Sequence, residues 1–178
     1  TYSTANKIKE KAMLITASNV FAHADGLEEI AHAAMSALHT DGHFIVEVQY
    51  LLDTIKDLTF DNIYHEHVNY WCVTSINNFF NRLGYKVVKV DHVNTHGGSI
   101  RVYVKHESNN IDDSVKYFLE KEKSYGLTDI SLYKVFAQNV LNAKLTFLNN
   151  IKKLKDKNQS IVGYGSPAKA TTTLNYFG

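Results

Sequence analysis

The chain has 178 residues, 44% hydrophobic and 21% charged, proportions of an ordinary globular domain and not of a disordered tail. Nineteen Lys and Arg against eighteen Asp and Glu leave a net charge of +1, too little to argue for a nucleic-acid partner on charge. No apolar run approaches the roughly 20 residues of a membrane-spanning helix, and one cysteine, Cys72, excludes an internal disulfide or a Cys-based zinc cluster within these residues and suits the cytoplasm.

In chain order, Met13, Leu14 and Ile15 lie in an apolar run over residues 12–17, closed by Ser18 and Asn19, which predicts a buried parallel strand. Leu27, Ile30, Ala31, Ala34, Met35 and Leu38 then repeat at helical spacing, with Glu28 and Glu29 in the first turn and Thr40, Asp41 and Gly42 as the stop. Residues 44–48 read as the next strand, giving strand, crossover helix, strand. Residues 51–73 are polar, aromatic and irregular. Ser75 reads as the N-cap of a helix carrying Ile76, Phe79, Phe80 and Leu83, with Gly84 at its end. Residues 85–93 and 99–106 are strand-like, and the short joint at 94–98 predicts an antiparallel hairpin. A three-layer α/β sheet ending in that hairpin is the economical architecture.

The second half changes character. Residues 112–123 and 129–158 interleave charged and apolar side chains. Tyr133, Phe136, Val140, Phe147, Ile151 and Leu154 form one seam of a long helix, read as a bridge between domains, with a coiled coil as the alternative. Residues 160–163 suggest a fresh strand before a helix start at Pro167. Thr1 is not an initiator Met and residues 171–178 read as an unfinished helix, so the chain is expected to be an internal fragment.

In an open α/β sheet, ligands bind beyond the carboxyl ends of the strands. Asn19 and His23 follow the first strand and Tyr50 the second; a turn cap and a solvated loop explain them equally. The densest cluster is Tyr64, His65, Glu66 and His67. As a strand it would aim His65 and His67 at one metal; as a helical turn it would put Tyr64 and His67 on one face with Glu66 beside them, an acid-base group; as a loop it would be only polar surface. No third ligand stands at a convincing spacing, so no metal is expected. Gly97, Gly98, Ser99 and Arg101, after His96, offer close backbone approach and a planar fork for phosphate or carboxylate, although hairpin-turn chemistry accounts for the glycines too. Residues 163–168 read G-x-G-x-x-A with Lys169 following, a pattern suited to an anion at a helix start.

Five segments in order, NVFAH (19–23), FIVEVQY (44–50), FDNIYHEHVNY (60–70), HGGSIRVY (96–103) and GYGSPAKATTTLNYFG (163–178), resemble the S-adenosylmethionine-dependent sugar C-methyltransferases, in the branch acting on nucleotide-linked 4-keto-deoxysugars. The resemblance implies an α/β chain: the second half of a Rossmann-like class I methyltransferase domain ending in a hairpin (1–107), bridging helices (108–158) and the start of a second Rossmann-like domain (159–178). It implies proton abstraction next to a ketone, an enolate, and attack on the sulfonium methyl. His67 is then the expected base, with Glu66 orienting it or sharing that role and Tyr64 donating to the oxyanion; His65 is the weaker candidate. Ser18 and Asn19 would contact S-adenosylmethionine, His23 would line the transfer cavity, and Ser99, Arg101 and Lys169 would hold the sugar or its phosphates. The glycine-rich loop for the cofactor and the zinc-binding cysteines are expected before Thr1, so these residues alone are expected to bind the cofactor weakly. A non-catalytic sugar-nucleotide or dinucleotide binding module is the alternative.

Overall fold

The computed structural model describes residues 2–5, 7–165 and 167–178, Tyr2 and Ser3 by backbone alone. After a single helical turn, α1 (Tyr2–Ala5), the first apolar run becomes β1 (Ala12–Ser18). Then α2 (Leu27–Ala37) buries Leu27, Ala31 and Met35 at four-residue spacing and runs straight into β2 (Leu38–Gln49). The strands are parallel, with Ile15 opposite Phe44 and Ala17 opposite Val46, so one face of both is apolar. The helix stop expected at Thr40, Asp41 and Gly42 is instead part of β2. Gly42 has another role there: a Cβ would come within 3.0 Å of the Ala12 and Met13 carbonyls, so the residue lets two backbones approach.

Past β2 the irregular passage contains α3 (Leu51–Lys56) and a 3-10 turn at Phe60–Asn62. Next, α4 (Val73–Arg82) is capped by Cys72, not Ser75. Ser75 sits one turn in and returns the bond, its hydroxyl accepting from the Cys72 amide at 3.0 Å, a reciprocal capping box. The hairpin forms as expected from β3 (Lys86–Val93) and β4 (Ser99–Lys105). Its second strand inserts beside β2, giving the order β1-β2-β4-β3.

Phe44, Val46 and Val48 meet Val104, Val102 and Ile100 across that pairing, and α2, α4 and the start of the second half cover them. The opposite face carries His43, Ile45, Glu47, Lys89, Asp91, Arg101 and Tyr103, tied by Arg101 to Glu47 at 2.6 Å and Tyr103 to Asp91 at 2.8 Å. Among the described residues the sheet is therefore covered on one side only, two layers where three were expected. The strict alternation of β4 is the pattern of a sheet with one wetter face.

In the second half, α5 (Asp113–Tyr125) packs Val115 and Phe118 into the core. Then α6 (Ile130–Asp156) runs unbroken for 27 residues, about 40 Å. The strand expected at 160–163 forms no ladder; Val162 is 87% exposed, with no neighbouring strand to pair it. The motif at 163–168 includes Ser166, which lies outside the described residues. Last, α7 (Ala168–Phe177) folds back so that Phe177 stacks on Phe60 with ring centroids 5.7 Å apart and meets Phe147 at 5.0 Å.

Candidate active site

The site is assembled at the carboxyl ends of β1 and β2 by a fully buried ring. Phe21 packs against Phe44, Phe80 and Trp71 with centroids 6.0, 6.0 and 6.3 Å away, which drives the flanking Asn19 and His23 to the rim. Asn19 turns the chain in the left-handed region, φ 57°, with its amide on the Glu47 carbonyl; asparagine tolerates that conformation. The neighbouring loop is fastened to this one by backbone bonds from Val68 and Asn69 to the Ala22 carbonyl, and by the Trp71 indole N–H donating to the Phe21 carbonyl at 3.0 Å. The fastening brings the His23 and His67 rings to 4.8 Å.

A cleft of about 170 Å³ opens there, lined by Asn19, His23, Gln49, Tyr64, His67, His96 and Lys169. The orientation of His67 can be read from its partners. Nδ1 lies 2.8 Å from the Asn62 carbonyl, and a carbonyl only accepts, so Nδ1 carries the hydrogen and Nε2 bears the lone pair. Nε2 faces the Tyr64 hydroxyl at 3.3 Å. Burial, followed by the charges of His23 and Lys169, holds the His67 pKa below the ordinary histidine value, against the pull of the Asn62 carbonyl and Glu66. The imidazole is thus neutral, singly tautomeric and open to accept a proton at neutral pH. Burial and the Glu66 charge raise the Tyr64 phenol above its usual range, so it stays a donor.

Of the other expected residues, Glu66 and His65 point outward, 57% and 88% exposed and 3.9 Å apart. The group that orients His67 is the Asn62 carbonyl, not the Glu66 carboxylate. Lys169 reaches the cleft from the first turn of α7. Ser18 is exposed at the end of β1, beside Asn19. The remaining two stand elsewhere: Ser99 is fully buried with its hydroxyl on the Thr95 carbonyl at 2.9 Å, and Arg101 is paired with Glu47 on the open face of the sheet. Tyr50 lies wholly in the core, not at the sheet edge. Among the described residues no three His, Cys, Asp or Glu side chains converge as a metal site. No helix among them is long and apolar enough to cross a membrane.

Two contributors escaped the sequence reading. Gln49, the last residue of β2, donates to the Asn62 side chain at 3.2 Å and steadies the turn behind His67; its position at a strand's carboxyl end was the available signal. Asn62 acts through its main-chain oxygen, which leaves no signature in residue type.

Residues 94–178 match the C-methyltransferase C-terminal domain family. The chain is also 30% identical over 165 residues to the C-methyltransferase NovU of Streptomyces niveus, covering 92% of this chain. It spans 39% of the length of NovU. Among solved structures it is similar to the magnesium protoporphyrin IX methyltransferase of Synechocystis PCC 6803, crystallised with SAH, at 10% identity and a TM-score of 0.43 over 58% of this chain and 48% of that one. The cleft joins residues from before the matched region (Asn19, His23, Gln49, Tyr64, His67) to two within it (His96, Lys169).

Proposed function

We propose that the protein containing this chain is an S-adenosylmethionine-dependent C-methyltransferase that methylates the carbon beside the ketone of a nucleotide-linked keto-deoxysugar through an enolate. The observation that carries the reading is His67: a neutral imidazole whose Nδ1–H is held by a carbonyl and whose Nε2 lone pair faces a cleft and a phenol. Carbon methylation needs a base for a C–H proton, which methyl transfer to an existing lone pair on oxygen or nitrogen does not.

His67 Nε2 takes the α-proton, the C–H electron pair becomes the carbon–carbon π bond of the enolate, and negative charge gathers on the former ketone oxygen. Tyr64, bonded loosely to Nε2 at 3.3 Å, is free to turn its O–H to that oxygen, and the Lys169 ammonium adds positive charge from α7. When bound, S-adenosylmethionine supplies an electrophilic methyl whose bond to sulfur breaks as the new carbon–carbon bond forms. Ser18 and Asn19 fit the edge of such a group: they end a parallel strand, and their side chains make no hydrogen bond among the described residues. His23 lines the transfer cavity. Ser99 and Arg101, outside the cleft, shape the hairpin behind it.

The test is methyl transfer by the full-length protein to nucleotide-linked ketosugars, using a labelled methyl donor. Label is expected on the carbon next to the ketone, and its appearance on oxygen instead would refute the enolate route.

A further inference from the structure

The main-chain oxygen that holds His67 belongs to a residue whose own side chain is buried and bound at both ends. Asn62, 2% exposed, accepts at Oδ1 from Gln49 Nε2 at 3.2 Å and donates from Nδ2 to Thr59 Oγ1 at 3.1 Å. A third contact fixes the direction of this chain. Gln49 Nε2 also lies 3.5 Å from the His96 carbonyl, which only accepts, so the nitrogen of Gln49 faces the oxygen of Asn62 and leaves the Asn62 nitrogen for Thr59. The Asn62 amide N–H donates to the Thr59 carbonyl at 3.1 Å as well. Gln49 ends β2, Thr59 precedes the 3-10 turn and Asn62 closes that turn, so one buried amide is gripped from two elements. Leaving either end of it unpaired is costly. The side chain therefore has one orientation, and the carbonyl of the same residue has one direction, toward His67 Nδ1 at 2.8 Å.

Which nitrogen of an imidazole carries the hydrogen is set by the bond the other one makes, and an unheld imidazole favours hydrogen on Nε2, which would present a donor where the cleft needs a base. We infer that Asn62, clamped between Gln49 and Thr59, is a positioning residue that keeps the His67 hydrogen on Nδ1 and the Nε2 lone pair toward the cleft. The inference rests on the proposed function for what that lone pair does, and adds the side chains that decide whether it is there. The bond from Nδ1–H to the Asn62 carbonyl also favours the imidazolium, pulling the His67 pKa up against burial. Loosening the clamp should therefore lower that pKa further, whereas opening the site to water should raise it. The other groups that face His67 are His23 from the turn after β1, His96 from the hairpin, Lys169 from α7, and Tyr64, Glu66 and Tyr70 from its own loop. Apolar replacements at 49, 59 or 62 alter the charge of none of them.

Nitrogen NMR of the full-length protein with isotope-labelled histidine reads the tautomer directly, the His67 signals being those lost in His67→Gln. Wild type is expected to show Nδ1 protonated and Nε2 bare. Thr59→Val and Gln49→Met, close in shape to the residues they replace, should each shift the ring toward Nε2–H and slow exchange of the proton beside the ketone by about threefold or more; Asn62→Leu, which removes both contacts, should slow it by about tenfold or more, since a base in the wrong tautomer loses its rate. In all three the acid midpoint of the pH–rate profile should move down while the plateau falls. A site that is merely opened would lose rate with its midpoint unmoved or raised. If Asn62→Leu fails to fold, the two milder variants decide. Wild-type tautomer signals in Thr59→Val and Gln49→Met, or a midpoint that stays or rises as activity falls, overturn the inference. Exchange by the wild type with unaltered tautomers in the variants removes the clamp and leaves the function, and shifted tautomers without any exchange by the wild type do the reverse.

Discussion

Replacing Glu122 should loosen the joint between the two halves of the chain. This carboxylate, on α5 and 1% exposed, accepts the Val73 amide at 2.6 Å, the Thr74 amide at 2.8 Å and the Thr74 hydroxyl at 2.6 Å, so it closes the N-terminus of α4, where amides lack helix partners and the dipole favours negative charge. Hydrogen bonds to a charged group contribute about 1.5–3 kcal/mol each, and a buried donor left without an acceptor costs about 1–3 kcal/mol. Val73 is fully buried, while Thr74 is half-buried and can take up water. Counting the Val73 loss in full and the Thr74 bonds in part, Glu122→Ala should cost about 3–5 kcal/mol. Glu122→Gln, which keeps one accepting oxygen, should cost about half of that. Among the described residues the buried Tyr50 hydroxyl has no hydrogen-bond partner, and burial with the Glu122 charge drives its pKa far up; Tyr50→Phe should change stability by less than about 1 kcal/mol. Trp71, the single tryptophan of the chain, immediately precedes this helix cap, so urea titration followed by its fluorescence reads the effect. A Glu122→Ala loss below about 1 kcal/mol, or a Tyr50→Phe loss as large as that of Glu122→Ala, would refute the capping argument.

Methylation should fall on the acid side with a midpoint below the ordinary histidine value of ~6.5, because the His67 pKa is lowered and the base works only when neutral; a midpoint well above ~6.5 in a pH–rate profile contradicts this. The alkaline limb should lie above ~10, since Tyr64 is raised from the ordinary phenol value. Tyr64→Phe should lower kcat by about 10²–10³, the usual loss for an oxyanion donor, and steady-state kinetics showing a change only in KM would assign it to binding. Gly98→Ala should destabilise the hairpin by about 1–3 kcal/mol, because Gly98 has φ 106° and an added Cβ would overlap the Asp53 carboxylate; an unchanged midpoint in thermal melts would contradict this.

What could be read in advance follows the physics of each signal. The periodic segments were legible as elements: β1, α2, β4 and α6 all form, but β1 is not the buried strand expected, with Met13 and Leu14 each 58% exposed, and of the α6 seam Val140 alone is buried. Gly42 misled because turn chemistry and close backbone approach ask for the same residue. The strand at 160–163 misled because local β-propensity is realised only when a neighbour completes the ladder. The cluster at 64–67 was visible as chemistry, yet its internal roles were not: Glu66 looked like the partner of His67 from adjacency, whereas the fold supplies a main-chain carbonyl and turns Glu66 to solvent. Arg101 was legible as a fork for phosphate or carboxylate, and pairing with β2 sets it opposite the Glu47 carboxylate and away from the cleft.

The central claim is that His67 removes a proton from carbon. The direct measurement is NMR of a nucleotide-linked ketosugar in heavy water with the full-length protein and no methyl donor, comparing wild type with His67→Ala. The account predicts deuterium at the carbon beside the ketone with wild-type protein and a rate about 10²–10⁴ lower with His67→Ala; exchange at the wild-type rate in His67→Ala would contradict it.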